Sequence, residues 1–485
     1  MFGARGIVGG IAVSALDERC YERRDTATGA ILTLAAAFGP AEAEAAADAA
    51  AGAFPGWSGL DPSNRAALLV KGAELLETRL DTLCHIGERE VGACPSWIRF
   101  NVEIAQATLR HAASLAGAIG EENATGAPAG VRYRLIRRPA GVVLGLAPWN
   151  APVALAVRAV AAPLALGNTV VLKGSELCPK MHETVTQTLI DAGLPEGVLN
   201  FVSSAPEDAH DVVEVLIAHP AVRRVNFTGS TRVGRQVAAT AAQHLKRCLL
   251  ELSGKASSIV LADADLDGTA KAVAHGAFFN QGQVCMSTDR IVVEEAVADA
   301  FVDRLKAEAE KLRGDPHTGQ APFGHVIGTD AVLRLHGLID DALGKGAVLI
   351  TGGEHAGTLM QPTVIDHVAY GMRIYEKEIF GPVVGVVRVA DAEEAVTVAN
   401  DTEYGLTAAV FSRDLGKART IARQIEAGAV HINGTTVCDD PTMPYGGMKA
   451  SGYGRFGGRA VIDEFTEIQW MTERDEPAAD QLDRQ

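Results

Sequence analysis

Gly141-Val142-Val143-Leu144-Gly145-Leu146 leads through Ala147-Pro148-Trp149-Asn150 into an apolar stretch, Val153 to Leu166, and then into Thr169-Val170-Val171-Leu172. The first and last pieces are short apolar runs bounded by glycine or asparagine, and they predict strands buried on both faces. The middle piece has the length of a helix. Pro148, Pro152, Arg158, Pro163 and Asn168 interrupt the run, whereas a membrane span needs about 20 uninterrupted apolar residues. The segment therefore reads as strand, helix, strand.

Outward from it the same grammar repeats. His182–Ala192 predicts a helix, Val198–Val202 and Val222–Phe227 strands, and Arg232–Gln243 another helix. Such alternation predicts a parallel, doubly wound sheet with right-handed crossovers. A second α/β series begins with the strand Ser257–Leu261 and the helix Thr269–Gln281, and continues through Arg290–Val293 and Val297–Leu312 to Ile425. The join falls near Leu252–Lys255. Upstream, Ala41–Ala53 predicts a helix by propensity, and Asp61-Pro62-Ser63 opens another that runs through Leu80 at helical spacing. Val131–Arg138 and Glu464–Thr472 predict strands outside both sheets. There is no internal repeat and no low-complexity linker.

Composition narrows the function classes. The 485 residues carry 44 Lys and Arg against 60 Asp and Glu, a formal net charge of −16, which argues against a nucleic-acid binder. A hydrophobic fraction of 47% implies large buried cores. The 7 cysteines form neither a disulfide framework nor a zinc knuckle. The N-terminal apolar stretch is broken by Asp17, Glu18 and Arg19, unlike a targeting segment. These features predict a cytoplasmic protein without a metal site or membrane partner. Gly452-x-Gly454-x-x-Gly457 matches a dinucleotide fingerprint, but no strand precedes it and too few residues follow to build a βαβ unit. It reads as a loop.

Phe279-Asn280-Gln281-Gly282-Gln283-Val284-Cys285-Met286-Ser287 places a cysteine in a glycine-containing loop after an apolar helix. A free cysteine is usually core filler. At an ordinary pKa near 8.5 only about 3% is thiolate at pH 7, so nucleophilic work would require a partner that activates it.

Together with its company along the chain, this loop resembles the aldehyde dehydrogenase superfamily over nearly the whole length. The resemblance rests on Pro148-Trp149-Asn150, Leu172-Lys173-x-Ser175-Glu176, Phe227-Thr228-Gly229-Ser230-Thr231, Leu250-Glu251-Leu252-x-Gly254-Lys255, Gln281-Gly282-Gln283-Val284-Cys285, Glu378-Ile379-Phe380-Gly381-Pro382 and Pro444-Tyr445-Gly446-Gly447-x-Lys449. It implies an α/β fold: a Rossmann-like NAD-binding domain (1–117 and 138–252), an α/β catalytic domain (253–448) and a small β extension for oligomerisation (118–137 and 449–485). It also implies that Cys285 is the nucleophile, Glu251 the general base and Asn150 an oxyanion donor beside the Cys285 N–H. As a lone Asn in a turn, Asn150 reads equally as a cap, and Glu251 as a surface carboxylate at a strand end.

For the cofactor the resemblance implies Trp149, Lys173, Glu176, Gly229, Ser230, Val233, Gly234, Leu252, Glu378 and Phe380. Gly229 and Ser230 end a strand and open a helix, where free N–H groups and the helix dipole suit a pyrophosphate. A carboxylate at Glu176 suits ribose hydroxyls and favours NAD over NADP, although Lys173 could pair with a phosphate. Gly174 and Ser253 depart from the commoner family residues beside the cofactor and the base.

Within the superfamily the chain is most similar to the aromatic-aldehyde group that includes salicylaldehyde and vanillin dehydrogenases. That likeness rests on Gly145–Val153, Arg158, Leu172–Pro179, His219–Asn226 and Tyr453–Gly458. It implies a pocket in which Trp97 and Tyr445 face a planar ring and Arg158 meets its polar substituent. Plain helix packing for Trp97 and a salt bridge beneath the helix for Arg158 are the alternatives. Cys438-Asp439-Asp440 departs from the group. The resemblance further implies a homodimer or homotetramer. A CoA-acylating transferase, an aliphatic or semialdehyde dehydrogenase and a non-catalytic protein of the same fold remain alternative readings.

Overall fold

The structure, a computed structural model, describes residues 1–313 and 324–475; the end of the expected oligomerisation segment, 476–485, lies outside them. Its largest sheet has eight strands in the order Gly452–Tyr453, Arg247–Glu251, Val222–Thr228, Val142–Leu146, Thr169–Lys173, Leu199–Val202, Gly6–Val8, Ile11–Val13. The five central strands run parallel, as the alternation predicts. The edges do not: Gly452–Tyr453 and Gly6–Val8 pair antiparallel. Strand order reverses between Val142–Leu146 and Val222–Thr228, and a crevice opens beyond the carboxyl ends of strands at such a switch point.

The helix Pro152–Ala165 is buried along its whole length, and Arg158 is its only charged residue. It packs beneath the sheet against Pro95–Leu115 and Pro62–Thr78. Proline at the first position starts each of these three helices, where its missing N–H costs nothing. The helix expected from Asp61 to Leu80 is two helices. Arg79 leaves helical geometry and hydrogen-bonds Thr188 Oγ1 at 2.8 Å, and a new helix runs Leu80–Val91. Both bury apolar residues in one core, so the periodicity reads straight through the break.

A second, seven-stranded sheet runs Val348–Thr351, Thr363–Asp366, Val383–Val389, Thr288–Glu294, Ala256–Val260, Thr407–Phe411, Ala429–Ile432. It is parallel except for its first edge strand. Thr466–Arg474, Val131–Pro139 and Gly120–Ala124 form a separate antiparallel sheet. Ile468 and Trp470 stand exposed on it. The N-terminal strands Phe2–Ala4, Cys20–Arg24 and Ile31–Ala36 make a further small sheet. No helix among the described residues is long and apolar enough to cross a membrane.

Candidate active site

The helix expected at Thr269–Gln281 ends at Phe278. Asn280 and Gln281 then take positive φ values of 49° and 55°, backbone strain of the kind that collects at functional sites. Gly282 follows at φ +65°, where an added Cβ would stand 2.2 Å from the Gly381 carbonyl oxygen. Only glycine fits so close an approach. This turn carries Cys285 to a cavity of about 520 Å³ that Asn150, Glu251, Leu252, Glu378 and Phe380 also line.

Asn150 is fixed from several sides. Its carbonyl accepts from Trp97 Nε1 at 2.8 Å and from Asn280 Nδ2 at 3.1 Å, and its own Nδ2 donates to the Gln283 carbonyl at 3.0 Å. An amide nitrogen carries two hydrogens, so one remains for a ligand. Trp97 itself is 1% exposed, lines neither this cavity nor the one beyond Cys285, and packs against Phe100 and Phe279. The structure thus gives Trp97 a packing place, and its tie to the site runs through Asn150.

Glu251 ends the strand Arg247–Glu251 and is fully buried. Burial raises its proton affinity. Arg158, Cys285 and Thr228 work against that rise, yet neither carboxylate oxygen completes a hydrogen bond. An unsatisfied buried carboxylate is costly to keep. Burial and the Glu251 charge push the Cys285 thiol well above its usual range, while the Tyr445 hydroxyl, 3.6 Å from Sγ, and Arg158 oppose the rise. Burial thus shifts both groups toward their protonated forms, and each is opposed by Arg158.

Glu378 is pushed up to about 7 by burial, and its Oε1 accepts from the Gly254 N–H at 3.0 Å. The Glu378–Pro382 loop has supports that single-residue reading did not find. Lys255 Nζ donates to the Lys377 carbonyl at 2.7 Å, Asp289 accepts the Ile379 N–H at 2.9 Å, and Arg334 donates to the Ile379 and Phe380 carbonyls. Phe380 in turn packs its ring edge-to-face with Trp149, centroids 5.8 Å apart.

A second cavity, about 560 Å³, opens at the switch point and is lined by Trp149, Lys173, Glu176, Gly229, Ser230 and Val233. Ser230 Oγ caps the helix Thr231–Gln243 by accepting the Val233 N–H. Lys173 and Glu176 form an ion pair, and burial pulls the lysine down to about 7. The cradle fits a dinucleotide: a capped helix N-terminus for phosphates and an adjacent cavity reaching Cys285. Gly234 does not line it. A Cβ there would meet Leu252 Cδ2 at 2.4 Å, so this glycine lets helix and strand pack closely.

On the other side of Tyr445 lies a narrow cavity of about 30 Å³, lined by His111, Arg158, Asp439, Asp440, Met443, Tyr445 and Phe456 among others. Arg158 is ion-paired to Asp439, with both side chains 8% exposed, and its guanidinium sits 5.0 Å from the Tyr445 ring centroid. Asp439 was not among the residues expected here. Its partner is 281 positions away, and no local signal reports such a pairing.

A sequence model of the aldehyde dehydrogenase family matches residues 13–471. Vanillin dehydrogenase of Pseudomonas fluorescens is 50% identical, over 97% of this chain and 98% of its own. Salicylaldehyde dehydrogenase of Pseudomonas sp. strain C18 is 45% identical over 95% and 96%. The crystal structure of a salicylaldehyde dehydrogenase from Pseudomonas putida G7, complexed with salicylaldehyde, superposes with a TM-score of 0.96 at 44% identity, covering 99% of both chains.

Proposed function

This chain belongs to the aldehyde dehydrogenase family, and on that premise we propose that it oxidises an aromatic aldehyde to the carboxylic acid with NAD. That it is an NAD(P)-dependent oxidoreductase follows from the family. The observation that carries the mechanism is the convergence of Cys285, Asn150 and Glu251 on one cavity.

In this reading Cys285 Sγ gives up its proton to solvent water, and the thiolate adds to the aldehyde carbon. The carbonyl oxygen becomes an oxyanion, held by the remaining Asn150 N–H and the Cys285 backbone N–H. One such donor is worth about 3–4 kcal/mol. Lys173, Glu176, Gly229 and Ser230 would hold NAD, which when bound would accept the hydride leaving the former aldehyde carbon. A thioester is left on Cys285. Glu251 then takes a proton from water, the hydroxide adds to the thioester carbon, and the acid leaves as the thiolate returns. The same glutamate disfavours the CoA-acylating reading, in which no water is activated.

The aromatic preference is supported by the 50% and 45% relatives and by the Tyr445, Phe456 and Arg158 walls. A cavity of about 30 Å³ seats little more than a water, so the walls part to admit a ring; Met443, flexible and 56% exposed, forms part of them. An NADH-release screen tests the reading. Substituted benzaldehydes are expected to exceed short aliphatic aldehydes in kcat/KM by at least about tenfold, and the reverse order would remove the aromatic assignment.

Glu176 supports NAD as the acceptor. Beside a ribose its carboxylate would accept from the hydroxyls and repel a 2′-phosphate. Glu176→Gln, which also frees Lys173, is expected to lower the NAD/NADP ratio of kcat/KM at least about tenfold; an unchanged ratio would take Glu176 out of the ribose site. In the same reading 1–117 and 138–252 bind the dinucleotide and 253–448 carry Cys285. The antiparallel sheet with Ile468 and Trp470 joins subunits into a dimer or tetramer. All 7 thiols are unpaired, a state suited to a reducing cytoplasm.

A further inference from the structure

The helix carrying Arg158 is otherwise free of charge and wholly buried, so the guanidinium requires a partner. In many pockets a buried arginine faces the substrate and takes its carboxylate. Here the chain supplies the carboxylate itself. Asp439 pairs with Arg158, and that bond is the only hydrogen bond either side chain makes among the described residues. The cavity therefore keeps spare guanidinium N–H donors and a spare carboxylate oxygen side by side. Asp440, exposed at the same cavity, accepts from the Thr442 N–H and hydroxyl and adds a negative charge with no ion-pair partner among the described residues. A second anion entering would find Arg158 already neutralised.

We propose that Asp439 sets substrate specificity: it makes the pocket select aldehydes with an uncharged hydroxylated tail and reject aldehydes that carry a carboxylate. A ring hydroxyl donates to the spare Asp439 oxygen and accepts from an Arg158 N–H, satisfying both members of the pair. A carboxylate offers no proton to Asp439 and is repelled by it. The preference for a hydroxylated ring rests on the aromatic reading above. The rejection of charge does not, because it depends on the Arg158–Asp439 pair and the neighbouring Asp440, not on the ring.

The test compares kcat/KM ratios in the wild-type enzyme, Asp439→Asn and the double variant Arg158→Gln/Asp439→Asn. The substrate pairs are 3-carboxybenzaldehyde against benzaldehyde, 3-hydroxybenzaldehyde against benzaldehyde, and succinate semialdehyde against butanal. In Asp439→Asn, with Arg158 unmasked, both carboxylate ratios are expected to rise at least about tenfold while the hydroxyl ratio falls. The double variant, with no unmasked charge, is expected to return the carboxylate ratios toward the wild-type values. If Asp439→Asn fails to fold, the wild-type ratios decide alone: succinate semialdehyde oxidised as well as butanal would overturn the proposal, and strong discrimination against it would support the proposal. Carboxylate ratios that stay put in Asp439→Asn, or rise equally in the double variant, would overturn the proposal. A wild-type enzyme that prefers butanal to benzaldehyde would refute the aromatic reading alone, and the semialdehyde pair would still decide the role of Asp439.

Discussion

Cys285→Ala is expected to lower steady-state aldehyde oxidation by about a thousandfold or more, to well below 1% of wild type, while leaving NAD affinity nearly intact. The thiol is the one group in the cavity able to form a carbon–sulfur bond with the aldehyde. Its side chain lies off the dinucleotide cavity that Lys173, Glu176 and Val233 line. The substitution leaves a small space beside Tyr445 and removes only a 3.6 Å contact with its hydroxyl, so the fold is expected to persist. Rates followed as NADH formation and affinity followed by cofactor fluorescence quenching separate the two effects. Residual activity above about 1% would show that the aldehyde is oxidised without a covalent cysteine intermediate.

Glu251→Gln is expected to dissociate the two halves of the cycle. The first turnover should still release about one NADH per active site, because thiol attack and hydride loss do not require an activated water. Steady turnover should fall by about a hundredfold to ten-thousandfold. Glutamine keeps the shape but cannot take a proton. Because neither Glu251 oxygen has a hydrogen bond to lose, the melting temperature of the variant is expected to be no lower than that of wild type. The pH profile supplies the sign. Burial raises the Glu251 carboxyl above its ordinary value of 4.5; below the raised value the group is protonated and cannot act as a base. Wild-type kcat should therefore rise with pH across that raised value, and the limb should vanish in Glu251→Gln. A second limb, in kcat/KM and set by the elevated Cys285 thiol, should remain. Equal loss of burst and steady rate would instead assign Glu251 to deprotonating Cys285.

The alternation of apolar runs and helical stretches from Gly141 onward carries most of the parallel strands of both sheets, because such runs are legible within a few residues; Arg247–Glu251 and Thr363–Asp366, each mixed with charged or polar residues, do not read as strands. The motif loops are legible for a related reason: Gly229-Ser230 at a strand end and Gly282 in a tight turn are short-range backbone requirements. The edges were harder. Gly6–Val8 and Gly452–Tyr453 are short, and only the sheet they join makes them strands. The break at Arg79 is likewise silent in the periodicity, since the helices on both sides face one core.

The sequence by itself determined the α/β alternation, the order of the motifs and, through the resemblance they carry, the three side chains proposed to react. Each depends on residue types and spacings along the chain. Tertiary structure alone decided that Arg158 is answered by Asp439, that Trp97 holds the Asn150 carbonyl, that Gly234 serves packing against Leu252, and that Lys255 and Asp289 brace the Glu378 loop. The reason is the same in each case. A buried charge or donor must find a partner, and the partner is whichever group the packing of distant segments brings within about 3 Å.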